Sequence, residues 1–415
     1  MTKEQTTQLM VAILSLSLLT VMAGAAVAPA LDVIREHFSS SPVALVRLVI
    51  SLPALFIALS SPAFPALAKR FSVRALVLGA LALYVVAGVG AGVVDNIYVL
   101  LALRALVGVS VGIIMPLSTG LLAYYFPPER QSALMGYSSA MNQMGGVVAT
   151  LLAGVLATIS WRTAFLVYAM GLVCMVLCAV FVPNAHLYAA EERVSGAGEK
   201  GGSTIREDAV AAAPAVVTEA SREAGAGEGQ SVLRRYGILA ASMFFLMVTF
   251  FVYPSSYALI SAEEGVLSPL AVTGIMTWLD FVAFVGGLAF AGLHRRLKSA
   301  QRFAAPVLFF IGYALLASVG GWVGGIVGSA LIGFANGIGV PHLMSTGSLM
   351  AGKRAATTVL PLLSTALYLG QFATPFVLAA VEASVGSAFV PVPYLVALAS
   401  AIVYGICSAF IREPR

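Results

Sequence analysis

Charge is what this sequence has least of. Asp, Glu, Lys and Arg make up 10% of its 415 residues, whereas soluble domains carry about 25%. So few charges cannot cover the water-facing surface of a chain this long. That excludes a soluble enzyme, a disordered chain and a nucleic-acid binder built on a basic face. Cysteine is equally scarce: Cys174, Cys178 and Cys407 all lie in apolar runs, so neither a disulfide framework nor a metal cage is implied. Short alternating strands of the membrane-barrel kind are missing too. The chain also lacks a metal-ligand cluster, a nucleophile–base pair and a separable catalytic domain. It is therefore not read as an enzyme, and no cofactor is called for.

What is present is apolar length. Hydrophobic residues make up 60% of the chain, and they gather into segments near the ~20 residues that cross a hydrocarbon core about 30 Å thick. Twelve can be marked. Six run from Met10 to Leu31, Val43 to Pro65, Ala75 to Val94, Ile97 to Ala123, Ala133 to Ile159 and Ala164 to Val182. Six more run from Gly237 to Ile260, Pro269 to Leu293, Phe303 to Gly320, Val323 to Leu343, Ala356 to Ala380 and Val392 to Ile411. The fold class predicted is an all-α polytopic membrane protein. Its parts are an N-terminal half (1–182), a flexible cytoplasmic linker (183–235) rich in Gly, Ala and Glu, and a C-terminal half (236–415).

Basic residues give the orientation. With the N-terminus in the cytoplasm, 19 of the 23 Lys and Arg residues fall on the inner side, as the positive-inside rule requires. The four others are Arg35, Arg47, Arg104 and Arg162. Both termini are then cytoplasmic, and the expected location is the cell (plasma or inner) membrane. Ala26-Val27-Ala28 resembles a signal-peptide cleavage site, but Pro29 would follow the cut and the segment has a counterpart later in the chain.

That counterpart belongs to an internal duplication. Shifting the second half by 225 residues sets Pro29 on Pro254, Lys69-Arg70 on His294-Arg295 and Gly145 on Gly370. The same shift puts Gly108, Gly112 and Pro116 on Gly333, Gly337 and Pro341. Small residues are common where membrane helices touch, yet one ungapped shift across four span pairs is hard to obtain by chance. Six spans per half is even, so the repeats run parallel through the membrane.

Local motifs carry a family resemblance. Arg104-Ala-Leu-Val-Gly108-Val-Ser-Val-Gly112, ending at Pro116, resembles the fourth-helix motif of major facilitator superfamily transporters. Trp161-Arg162-Thr-Ala-Phe165 is similar to that family's Trp-Arg-x-x-Phe signature, and Phe126-Pro-Pro-Glu129-Arg130 to its loop between helices four and five. The resemblance covers the chain apart from the linker and comes nearest to the twelve-span drug/proton antiporters. It departs at two places. The loop after helix two reads Pro65-Ala-Leu-Ala-Lys69-Arg70-Phe71-Ser72-Val73-Arg74, with Lys69 where the family has an acidic residue, although Arg70 and Arg74 match. The fifth span carries Gly136, Gly145, Gly146 and Gly154 without the family's Gly-Pro. The resemblance implies a monomer in the lipid bilayer that moves a small-molecule substrate by alternating access, with protons as the coupling ion. Arg70, Arg74, Gly108, Gly112 and Pro116 are the residues it points to for gating.

Polar residues inside the spans are the site candidates, because charge in hydrocarbon is costly and tends to face a bundle interior. Asp280 stands about eleven residues into the eighth span, ~16 Å deep at 1.5 Å per residue. Thr273, Thr277, Asp280 and Gly287 share one helical stripe. Desolvation disfavours the charged form of a lone carboxylate, so Asp280 can carry a proton; the bland reading is a carboxylate neutralised by a fixed partner. Arg104 and Asp32 join it as proton-coupling candidates, and a structural pairing of these two with each other is the alternative. Arg47 reads as snorkelling to the interface. Asn142, Tyr253, Tyr257, Asn336, Tyr368 and Gln371 are the substrate-binding candidates, each equally able to serve as an interhelical contact. Pro29 and Pro254 would break or kink two equivalent helices. His342 reads as interfacial. Gly347 to Arg354 nearly spells a phosphate loop but ends in Arg and follows no strand, so an ATP-driven pump is excluded. The function expected is proton-coupled export of a small organic or amphipathic solute. A metabolite importer, symporter or uniporter of the same fold is the alternative, with a membrane sensor or enzyme as the more remote one.

Overall fold

The computed structural model describes residues 3–126, 128–183, 226–297, 300–351, 359–385 and 391–411. Among them it is helical throughout, with twelve helices long and apolar enough to cross a membrane. Most of the linker, and Lys353-Arg354, lie outside the described residues.

The first span is α1 (Lys3–Ala25), a 3₁₀ turn at Ala28–Ala30 and α2 (Leu31–His37). Spans two to five are α3 (Val43–Ser60) with the short α4 (Phe64–Arg70) behind it, α5 (Val73–Gly90), α6 (Ile97–Tyr125) and α7 (Pro128–Ala157). The sixth combines α8 (Trp161–Ala164) with α9 (Met170–Phe181). The second half has α10 (Ala226–Glu264), α11 (Pro269–Leu297), α12 (Gln301–Val319), α13 (Gly321–Ala351), α14 (Leu360–Val385) and α15 (Val392–Ala409). Residues 226–235, read from composition as linker, are the first turns of α10.

Side chains and backbone freedom set the ends. Asn96 caps α6 by accepting hydrogen bonds from the amides of Tyr98 at 2.8 Å and Val99 at 3.4 Å, which satisfies donors the helix cannot. Between α12 and α13 the chain turns on Gly320 and Gly321, both at φ +56°, a conformation that carries a penalty for any residue with a Cβ. The two prolines matched by the duplication behave differently. Pro29 sits in the break between α1 and α2, whereas Pro254 lies inside an unbroken α10. The expected symmetry of the two kinks is therefore not met.

The duplication is visible in the packing. Within the first half α1 packs on α7, α3 on α6 and α5 on both α6 and α9; within the second, α10 packs on α14, α11 on α13 and α12 on both α13 and α15. These are the same pairs one repeat later. Glycines make the close approaches. A Cβ on Gly108 would run into the Pro53 carbonyl, and one on Gly333 into the Leu279 carbonyl. Gly145 meets Leu18 as Gly370 meets Phe244. The halves then meet along two equivalent seams, α3 against α14 and α7 against α11.

Candidate functional site

Asp280 stands on the α7–α11 seam. Its carboxylate accepts a 2.6 Å hydrogen bond from the Thr150 hydroxyl of the opposite half. Gly146, one turn earlier on α7, leaves room: a Cβ there would stand 3.8 Å from the carboxyl carbon. Two turns nearer the loop end of α11, Thr273 packs directly on Gly154. No cation lies within 4.0 Å of Asp280 among the described residues. The fixed partner is thus a neutral hydroxyl from across the seam. The predicted stripe divides: Thr273 and Asp280 face α7, while Gly287 turns toward α13, nearest the Gly337 carbonyl.

Arg104 is fully buried. It donates to the Val49 carbonyl at 2.7 Å, to the Ala23 carbonyl at 2.5 Å and to the Tyr168 hydroxyl. Tyr168 in turn donates to Ala23 at 2.8 Å. One guanidinium so ties α1, α3, α6 and the sixth span together, and a planar fork suits fixed acceptors better than an ammonium would. Its partners do not include Asp32. That residue sits in the first turn of α2, with one carboxylate oxygen enclosed and lacking a hydrogen-bond partner.

The polar candidates gather only in part. Asn142 accepts from Thr20 of α1. Gln371 reaches across to α1 beside Gly24. The Tyr368 hydroxyl meets the Met115 sulfur at 3.1 Å, joining α14 to α6. Asn336 is half-buried on α13, and its side-chain oxygen lacks a partner. Tyr253 and Tyr257 differ from these. Both are buried and stacked with ring centroids 4.5 Å apart, and the Tyr253 hydroxyl is held by Ser329 at 2.6 Å. Their rings pack within the second half and present no open aromatic wall.

Of the gating candidates, Gly108 and Gly112 lie against α3, Gly108 at Pro53 and Gly112 at Ser60. Pro116 lies within α6. Arg70 is exposed, and Arg74 donates to the Ala179 carbonyl of α9, which is in its own half.

Arg47 does not snorkel: its side chain is 5% exposed and pairs at 2.8 Å with Glu382 of α14. A long side chain buries itself this way when a counter-charge sits opposite, and tertiary packing supplied one. Glu382 lies just beyond the apolar run Ala356 to Ala380 that marks the eleventh span, where nothing along the chain points it at Arg47. His342 is buried inside the protein, and α13 continues past it to Ala351.

At the loop end of the first half, Arg162 donates to the carbonyls of Gly92 at 3.3 Å and Val93 at 3.0 Å and to the Asp95 carboxylate. It lies over the Trp161 ring at 4.9 Å. His37 meets the same carboxylate at 3.1 Å. The Arg162 hydrogen bond, helped by His37, holds the Asp95 carboxyl below the usual carboxylate range. Toward this same end the halves are also joined by Arg35–Glu263 at 3.2 Å and by Arg47–Glu382. The bundle is drawn together at the end opposite its termini.

Comparison with known proteins agrees with this architecture. The family model of the Major Facilitator Superfamily matches residues 13–375. The chain belongs to the Major Facilitator Superfamily. Its fold is similar to that of a bacterial homologue of the human lysosomal transporter Spinster, solved inward-facing and unoccupied (TM-score 0.72, 15% identity) and inward-facing and occupied (TM-score 0.70, 14% identity). Each likeness covers 99% of this chain and 97% of the other. A stretch of 62 residues is 37% identical to a probable chloroplastic anion transporter 4 of Arabidopsis thaliana, spanning 15% of this chain and only 12% of that relative. Family and fold are those of secondary transporters, which bind small molecules within a membrane, and not those of enzymes.

Proposed function

We propose that this protein exports a small, amphipathic organic solute in exchange for protons, with Asp280 as the proton-carrying group. The observation that carries the reading is the hydrogen bond from Thr150 to an Asp280 without a cation partner among the described residues, made across the seam that alternating access has to open. A charged carboxylate inside the membrane is costly unless it is paired or wetted. Protonation in one conformation and release in the other would tie proton flow to movement of the halves. With both termini in the cytoplasm, as the basic loops indicate, the end drawn together faces outward and the solute loads from inside. Asn142, Asn336, Tyr368 and Gln371 are proposed as its polar contacts, and Arg104 as the anchor that keeps the first half rigid. A cation is the favoured cargo: Asp280 is open to pairing, whereas Arg104 is engaged by three acceptors and Arg47 by Glu382.

A second reading, carriage of an anion, draws on the short match to the plant anion transporter. It would need an arginine freed from its present partners.

The test is efflux of a fluorescent lipophilic cation from cells lacking their main pumps, with wild type and Asp280→Asn, with and without a protonophore. Export that collapses with the protonophore and is lost in a well-expressed Asp280→Asn supports the reading. Export that persists in Asp280→Asn removes Asp280 from the coupling, and the absence of any export turns the search to anionic cargo.

A further inference from the structure

The two seams between the halves close by different physics. On the α7–α11 seam the approach near the loop end is uncharged, with Thr273 set directly on Gly154. The 225-residue shift carries Arg47 to Val272 and Glu382 to Ala157, so the equivalent level of the α3–α14 seam is where Arg47 meets Glu382. That pair is 2.8 Å apart, with side chains 5% and 32% exposed, and the Arg47 Nε has no hydrogen-bond partner. One seam is closed by shape and the other by charge.

We propose that the Arg47–Glu382 pair is the electrostatic latch that holds the loop end of the transporter closed and sets the balance between its two access states. In the closed state the guanidinium is out of water and is compensated by Glu382. When the seam parts, both groups hydrate. Removing one partner strands a charge in the closed state alone, which is strongly unfavourable, whereas replacing both with apolar residues of similar size is close to neutral. Single variants should therefore open the end, and the double variant should close it again. Simple loss of packing volume predicts the reverse order, with the double variant the most open.

Ser51 supplies a reporter. It lies one turn below Arg47 on the same face of α3 and is fully buried. In full-length protein carrying Ser51→Cys, with Cys407→Ser to remove the partly exposed native thiol, labelling by a membrane-impermeant maleimide applied from the loop side reports opening. Glu382→Gln and Arg47→Met should each speed labelling about tenfold or more over the parent, and Arg47→Met/Glu382→Leu should return it to within about threefold. Single variants that label at the parent rate, or a double variant that labels as fast as the singles, would overturn the latch. Should Arg47→Met fail to elute as a folded species, the near-isosteric Glu382→Gln and the double variant carry the comparison. The readout is accessibility and not transport, so its failure would leave the proton-coupling proposal standing.

Discussion

Thr150 on α7 donates a 2.6 Å hydrogen bond to Asp280 on α11, and the two residues belong to different halves of the molecule. A bond made between the halves differs in kind from one made within a half, because parting of the seam at this level would break it. Whatever changes the acceptor therefore acts on the conformation as well as on the local contact.

Replacing the donor tests this directly. Hydrogen bonds to charged groups contribute about 1.5–3 kcal/mol, so Thr150→Val should slow proton-driven export by roughly tenfold, while Thr150→Ser keeps the hydroxyl and most of the rate. Initial efflux rates at matched expression decide the matter. A Thr150→Val protein as fast as wild type would mean that the bond plays no part in the cycle.

Arg104 should matter for stability before it matters for transport. Arg104→Lys loses the fork that spans the Val49, Ala23 and Tyr168 acceptors, and we expect a loss of about 2–4 kcal/mol, against about 1 kcal/mol for Tyr168→Phe. Thermal unfolding in detergent would rank the variants. Equal midpoints for Arg104→Lys and wild type would contradict a structural role.

Glycine contacts predict an asymmetry between positions. A side chain at Gly145 is driven into the Leu18 carbonyl, whereas one at Gly79 meets nothing within 4 Å. Overpacking costs about 1–3 kcal/mol or more where backbone cannot yield, so Gly145→Val should fold poorly and Gly79→Ala normally. Detergent-extracted yield and gel-filtration profile would separate them.

The Asp95 cluster gives a pH dependence with a definite sign. Its carboxyl is held below the ordinary value of 3.8 by Arg162 and then His37. The stabilisation is therefore fully present above pH 3.8 and is lost as pH falls below it toward the lowered folded-state value. The group is exposed, so the effect is modest. Unfolding midpoints of wild type and Asp95→Asn should differ by a constant amount at neutral pH and converge in acid. A difference that persists in acid would show that the carboxylate charge is not the cause.

Fold class, the twelve spans and the repeat are all legible along the chain. Membrane spans have to be long and apolar because nothing in hydrocarbon satisfies an open backbone. Glycines at a fixed shift mark helix contacts because only they let carbonyls approach so closely, as Gly108 and Gly333 do. Asp280 was legible for a related reason: a carboxylate placed mid-span needs a purpose. What stayed hidden were partners. Thr150 has no signature that aims it at a residue 130 positions away. Tyr253 and Tyr257 read as cavity aromatics along the chain, and only the packing shows Ser329 and their own stacking against them. Arg47 looked like an interfacial side chain until α14 brought Glu382 against it, 335 residues later in the chain. Apolar length and glycine spacing are properties of one helix at a time and can be read along the chain. The pairing of charges and hydrogen bonds across the seams depends on how two helices rotate against each other, and only the packed structure decided that.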